Sequence, residues 1–278
     1  FEEQWSTVCG VGNGIGVANG MDAIEIALLG LSIGGGDEVI TTPMTAFATI
    51  LAIIRSGAKP VLADIDSETA LLSIESVRRS LTANTKAVIL VHLYGQVRQM
   101  DEWVNFCEEN KIMLIEDCAQ AHQATWKGKV AGCFGQAGAY SFYPTKNLGA
   151  VGDAGMLVTN NSTLAEKARQ LRNYGQSERY LHPVVGMNSR LDEIQAVMLS
   201  ERMKWLPEFT KCRRQIADTY HAKIDNPLVK HLIKPEQKSA HVYHLFVITC
   251  PQRYALQAHL LKKGVQALIH YPVPVQQQ

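Results

Sequence analysis

The sequence predicts an α/β fold: a mainly parallel central sheet covered on both faces, followed by a second, smaller α/β domain. Two observations predict it. Short, nearly continuous apolar runs ("DEVITT", "KPVLADI", "KAVILVH", "KIMLIED") recur through the first half with amphipathic helical stretches between them. Strands without polar alternation need cover on both faces, and parallel crossovers provide it. In the second half a long helical stretch leads to one more apolar run and a helix, the pattern of a smaller domain. The expected division is 1–205 for the large domain and 206–278 for the small one.

The elements follow in order. "VANGMDAIEIALLGL" (17–31) reads as a helix with Ile24, Ala27, Leu28 and Leu31 on its apolar face. Strands are expected at 37–42 and 59–65 with a helix over 46–55 between them, then at 86–92 and 111–117, preceded by helices over 74–81 and 100–110. "AYSFY" and "GMLVTN" add strands, and a helix follows over 162–172. A long helix from about 191 past 214 is interrupted near Pro207. "HVYHLFVITC" (241–250) reads as a strand, and "RYALQAHLLKKG" as a helix ended by Gly264.

Composition excludes several classes. Of 278 residues, 46% are hydrophobic and 19% charged, an ordinary globular balance. The net charge of +1 comes without basic or acidic tracts, so neither nucleic acid nor an anionic membrane is implied. No apolar run reaches spanning length and no signal peptide opens the chain. Six scattered cysteines without a CxxC pair read as reduced thiols of a cytoplasmic protein. Cys118, His122 and Cys133 lack the paired spacing of a tetrahedral metal site, so no metal is expected. "FEEQWS" begins as if inside a helix and "HYPVPVQQQ" stops in a turn-like segment, so the chain reads as part of a longer one.

Ligands of open α/β sheets bind beyond the carboxyl ends of the strands. That directs attention to Thr42-Pro43, Asp64, His92, Asp117 and the 141–146 segment. Asp117 alone reads equally well as a helix cap, and His92 as a satisfied core histidine. The combination of a strand-end acid, Ser141 and Lys146 five residues beyond it suits pyridoxal phosphate. That cofactor needs an amine for covalent attachment, a carboxylate for its pyridine nitrogen and donors for its phosphate. Burial near a cation can lower a lysine pKa enough to free the nucleophilic amine. Gly20, where the chain enters its first long helix, offers a place for the phosphate, because first-turn N–H groups point outward and glycine admits close approach. "GVGNGIG" fails the GxGxxG spacing and no GK[ST] occurs, which disfavours nucleotide-binding folds.

"HLYGQ" (92–96), "EDCAQAH" (116–122), "SFYPTKNLGAVGDAG" (141–155), "RNYGQ" (172–176), "NSRLDEIQA" (188–196) and "HVYHLFVI" (241–248) together resemble the DegT/StrS-type sugar aminotransferases. The motifs run in family order through the whole chain. The resemblance implies the aspartate aminotransferase-like fold (fold type I) and pyridoxal 5'-phosphate as cofactor. It implies Lys146 as the cofactor-bearing lysine, Asp117 as partner of the pyridine nitrogen and Gln120 as a ligand on the hydroxyl side. Ser141 and the backbone at Gly20 and Met21 are then phosphate ligands. Asn188 would reach the phosphate of a neighbouring subunit, making a homodimer with composite sites; from its residue type alone it reads as a helix N-cap. His92, Tyr94, His244 and His270 lie in family-like segments and are candidates for the substrate pocket. Arg190 suits a donor carboxylate or a diphosphate.

Three positions depart from the family pattern. Met21 stands where many members have a phosphate-binding Thr, Ala46 where an aromatic stacks on the ring, and Gln123 where glycine is usual. Phe47, beside Ala46, is the candidate ring partner. The "NGMDAI" wording is similar to a subgroup that aminates C3 of keto-sugars. The expected function is amino transfer, with L-glutamate as donor, to a nucleotide-linked keto-deoxysugar at C3 or C4. A cyclic-ketone (aminocyclitol-type) aminotransferase and a non-enzymatic regulatory member of the fold are the alternatives.

Overall fold

The computed structural model describes residues 1–278. Its strands are β1 (Asn13–Val17), β2 (Glu38–Thr41), β3 (Lys59–Leu62), β4 (Thr85–Val91), β5 (Met113–Asp117), β6 (Thr125–Trp126), β7 (Lys129–Val130), β8 (Ala137–Ser141), β9 (Gly155–Thr159), β10 (Lys230–His231) and β11 (Ile248–Thr249). The helices are α1 (Glu2–Cys9), α2 (Gly20–Gly30), α3 (Phe47–Arg55), α4 (Ile74–Ser80), α5 (Met100–Glu109), α6 (Ser162–Leu171), α7 (Glu193–Met203), α8 (Leu206–Lys223) and α9 (Arg253–Lys262). Seven strands form the central sheet in the order β1-β9-β8-β5-β4-β2-β3, with β6 and β7 a separate hairpin. The sheet is parallel from β3 across to β8; β9 runs antiparallel to both β8 and β1.

Side-chain parity divides the core in two. Ile40, Val88, Leu90 and Leu114 face one layer with Trp5, Trp103 and Phe106. Val39, Ile89 and Ile115 face the other, against Ala23, Ile26 and Ala27 of α2 and Ala52 and Ile53 of α3. Ile89 and Ile115 are fully buried, each stabilising the fold by about 1.5–3 kcal/mol. Helix α2 is wedged among β8, α3 and α6, so almost its whole length is buried, with Asp22 and Glu25 the charged residues among its apolar contacts, and its N-terminus is held against the strand ends. The Asn19 side chain caps it, accepting from the Asp22 amide at 2.8 Å.

The parallel strands and the helices over 46–55, 74–81, 100–110 and 162–172 lie where the apolar patterns put them, within a few residues. Three readings differ. β1 is hidden in "NGIGV", whose glycines look like a loop; Gly14 and Gly16 are there because Glu2 and Leu191 pack where their side chains would be. The long helix starts at Glu193 and breaks at Lys204–Trp205, and Pro207 sits in the first turn of α8, which lacks an amide acceptor in any case. The run 241–250 is not one strand: Ile248–Thr249 pair with β10, and His241 makes an isolated antiparallel bridge to Gln96. Its apolar start is instead pinned to the loop after β4, with the Val242 amide donating to Gly95 O at 2.9 Å and the Leu245 amide to Tyr94 O at 3.4 Å.

Candidate active site

The site forms where β5 and β8 end beside the N-terminus of α2. Asp117 closes β5, and parity turns its side chain toward α2 and α3. Its Oδ2 accepts from Thr49 Oγ1 at 2.8 Å and its Oδ1 from the Ala119 amide at 3.1 Å. Thr49 is buried on α3 and shares a second contact with Thr45 at 2.9 Å. A buried carboxylate with these donors has a fixed orientation and keeps lone pairs for a further partner.

Lys146 lies beyond β8 in a tight turn, its amide donating to Tyr143 O at 2.8 Å. Burial pushes its ammonium below the usual lysine range, and the nearby Asp117 charge works in the opposite direction. Next to it Asn147 is buried and stitches the turn to the C-terminal segment: its Nδ2 donates to Val242 O at 3.1 Å and its Oδ1 lies 3.1 Å from His244 Nδ1. His122 and His244 are both pushed down to about 3, first by burial and then by the Lys146 charge. Two neutral imidazoles therefore lie within range of the amine's charge. The His122 ring is stacked at 5.3 Å on Phe142.

Gly20 starts α2 directly over Ser141. A Cβ on Gly20 would fall 2.7 Å from Ser141 Cβ, and one on Gly155 would fall 2.3 Å from the Asn19 carbonyl carbon. Only glycine lets the helix start approach the strand ends this closely. The first-turn amides of Gly20 and Met21 have no helical acceptor and point into this junction with Ser141. The Met21 side chain packs on the core, so at this position only the amide is available to an anion.

Gln120 follows Asp117 by three residues. Its Oε1 accepts from the Tyr94 amide at 2.6 Å and its Nε2 donates to the Tyr271 hydroxyl at 3.3 Å. Tyr94 takes a left-handed conformation (φ 62°) and donates its hydroxyl to His270 O at 2.7 Å. Tyr271, held above the usual phenol range by burial and by Asp117, is thereby brought to the site.

The structure thus gathers Lys146, Asp117, Gln120, Ser141, Gly20 and Met21, with Tyr94 and His270 at one wall. It does not bring His92 there: parity sends His92 to the opposite face of the sheet, where Nε2 sits 2.9 Å from Glu116 Oε2. Arg190 is exposed, donating to Asn173 Oδ1 at 3.2 Å above the Tyr174 ring. Phe47 opens α3 two residues before Thr49 and is 41% exposed. Asn188 is exposed beside Asn173 and caps no helix, since α7 has Asp192 at its N-cap. Its neighbour Ser189 is the buried one, donating to Asp22 Oδ2 at 2.7 Å and accepting from the Ala18 amide at 3.0 Å. Sequence reasoning misses Thr49, Asn147, Ser189 and Tyr271. Only Asn147, adjacent to Lys146, carries a positional signal.

The sequence model of the DegT/DnrJ/EryC1/StrS aminotransferase family matches residues 1–278. The chain belongs to this family. Among curated members, it is 44% identical over 278 residues to a dTDP-3-amino-3,6-dideoxy-alpha-D-galactopyranose transaminase of Aneurinibacillus thermoaerophilus, covering 100% of this chain and 76% of that protein. It is also 44% identical over 268 residues to a pleiotropic regulatory protein of Geobacillus stearothermophilus, covering 96% and 72%. Among solved structures, NtdA from Bacillus subtilis with bound cofactor PMP superposes with a TM-score of 0.92 at 31% identity, over 100% of this chain and 64% of that one. The site fits such a cofactor as a DegT/DnrJ/EryC1/StrS family member requires. It offers a desolvated amine, a hydrogen-bonded carboxylate and a glycine-built junction of free amides with a serine.

Proposed function

We propose that this chain acts as a pyridoxal-phosphate-dependent aminotransferase carrying an amino group from L-glutamate to a nucleotide-linked keto-deoxysugar. The observation that carries this reading is the meeting of Lys146, the Thr49-held Asp117 and the Gly20–Ser141 junction at the carboxyl ends of the central strands β5 and β8. Identity of 44% to a transaminase named for a dTDP-3-amino sugar favours C3 of such a sugar.

Bound pyridoxal phosphate supplies an electron sink for breaking a C–H bond next to the transferred nitrogen. The chain's residues do the rest. Lys146 Nζ, uncharged more readily because it is desolvated, holds the group and, once released, moves a proton on and off the substrate carbon. Asp117, kept in place by Thr49 and the Ala119 amide, would hold a proton at the ring nitrogen. Gln120 would hold the hydroxyl side of the ring, and the amides of Gly20 and Met21 with Ser141 would take the phosphate. Neutral His122 and His244 add no positive charge that would compete with Lys146 for Asp117.

Two structural expectations belong to the same proposal. The small domain begins at about Leu206, where α8 starts. The active unit is a homodimer in which Asn188 serves the partner's phosphate. Support comes from the exposed apolar residues flanking it, Val185 at 95%, Ile194 at 74% and Val197 at 67%. No helix is long and apolar enough to cross a membrane.

The test uses the full-length protein with pyridoxal phosphate, followed by visible absorption on addition of L-glutamate. The reading expects a cofactor band that glutamate converts, and that is absent in Lys146→Ala. A band that ignores glutamate removes glutamate as donor, and absence of any band removes the cofactor assignment. A cofactor-binding regulator, the reading favoured by the name of the Geobacillus relative, keeps the band and shows no turnover with any keto-sugar.

A further inference from the structure

Between Gly175 and Leu199, Ser189 alone is buried, at 0% exposure, although Asn188 and Arg190 on either side of it are exposed. Burying a hydroxyl is unfavourable unless its hydrogen bonds to water are replaced, so its partners account for its place. We propose that Ser189 is a positioning residue for the cofactor phosphate, fixing the turn 18–22 whose central amides face that group. The inference rests on the reading above that Gly20, Met21 and Ser141 take the phosphate.

The hydroxyl grips the turn at both ends. It accepts from the Ala18 amide at 3.0 Å and donates to Asp22 Oδ2 at 2.7 Å. Gly20 and Met21 lie between these two points. Inside the bracket, the Asn19 side chain accepts from the Asp22 amide at 2.8 Å. A single oxygen therefore ties the residue before the helix cap to the first turn of α2.

Ser189 is itself anchored. Its amide donates to Arg172 O at 2.8 Å, and Arg172 Nη1 donates to Gly16 O at 2.6 Å, on the strand that leads into the turn. Leu191 lies against the same glycine, where an added Cβ would fall 2.8 Å from Leu191 Cβ. Hydrogen bonds thus close a ring from Gly16 through Arg172 and Ser189 back to Ala18. The serine oxygen holds the turn from a fixed place.

The direction of the amides matters in this chain because the Met21 side chain packs on the core and brings no hydroxyl. The donors left for an anion are backbone N–H groups and Ser141. Such bonds weaken steeply as their angle closes. The turn also sits tightly on β8, with a Cβ on Gly20 only 2.7 Å from Ser141 Cβ. A small rotation of the turn would re-aim both amides at once. Removing the Ser189 hydroxyl releases both ends of the turn and leaves the buried Asp22 short of a donor.

The experiment titrates the full-length protein, freed of cofactor, with pyridoxal phosphate and separately with pyridoxal, followed by absorbance. Ser189→Ala should weaken pyridoxal phosphate about tenfold, the equivalent of one hydrogen bond to a charged group, and leave pyridoxal within about twofold of the parent. Ser189→Cys, similar in size with a weaker donor, should fall between the two and serves where the alanine variant does not fold. Equal losses for both compounds would make the serine merely structural and overturn the inference, as would parental affinity for pyridoxal phosphate in both variants. A parent protein that binds pyridoxal as tightly as pyridoxal phosphate would instead overturn the phosphate assignment itself, and the inference with it.

Discussion

Thr49 Oγ1 donates to Asp117 Oδ2 at 2.8 Å, joining the start of α3 to the end of β5. The contact lies within the core, where a carboxylate that loses a donor keeps its desolvation cost. Thr49→Val is therefore expected to cost about 1–3 kcal/mol of stability and to weaken pyridoxal phosphate binding. Thr49→Ser should retain both. Thermal melts and cofactor titration by absorbance check this, and a Val variant that binds cofactor like the parent refutes it.

Acid stability should bear the mark of three buried histidines. His122, His241 and His244 are each depressed to about 3 from an ordinary 6.5, in every case mainly by burial. The unfolded chain takes up their protons first as pH falls, so their contribution is complete above 6.5 and is lost progressively from there toward 3. The expected slope is up to about 1.4 kcal/mol per pH unit for each histidine. Urea unfolding across that window would measure it. His122→Phe, which suits the surrounding Trp5, Tyr140 and Phe142 rings, should flatten the slope by about one proton.

Glycine substitutions should rank by what their new Cβ meets. Of Gly155, Gly20 and Gly35, Gly155→Ala forces an atom to 2.3 Å from backbone and should cost most, while Gly35→Ala meets nothing within 4 Å. Gly20→Ala, against the Ser141 side chain at 2.7 Å, should cost about 1–3 kcal/mol and lower cofactor affinity. Gly35→Ala should stay within about 0.5 kcal/mol of the parent. Melting temperatures in that order support the tight junction; a neutral Gly155→Ala would count against it.

Tyr94→Phe removes the hydroxyl that holds His270 O and leaves the Gln120 contact to the Tyr94 amide in place. The expected outcome is an unchanged cofactor spectrum with a KM for the keto-sugar raised about fivefold, the equivalent of one hydrogen bond of about 1 kcal/mol. Steady-state kinetics decides it. A fall in kcat alone would mean that the hydroxyl serves chemistry rather than substrate position.

Much of this site is legible in the amino-acid sequence. The apolar runs locate β4 and β5, and the residues following them include Asp117 and Gln120. Lys146 and Ser141 are readable because a lone amine behind proline in a glycine-rich run is poor surface chemistry. His92 is misleading as a pocket residue because its position at a strand end carries no information about face. The register does: Val91 pairs with Asp117, so the next residue along points away. Residues 241–250 read as a strand because they are apolar, yet their burial comes from the turn at Tyr94 and Gly95, a contact more than a hundred residues distant in sequence. Tyr271 and Thr49 reach the site only through such long-range packing, and neither has a local pattern.

Asn147 binds Val242 O and His244 on one side of the site, while Gly95 and Tyr94 hold Val242 and Leu245 on the other. Segment 241–245 is therefore fastened to the same frame that carries Lys146. Any movement of the part that begins at Leu206 relative to the sheet must either break these contacts or leave 241–245 behind with the sheet. His244, bonded to the neighbour of Lys146 in sequence, is thus part of a wall assembled as the chain folds rather than one brought in by a later movement.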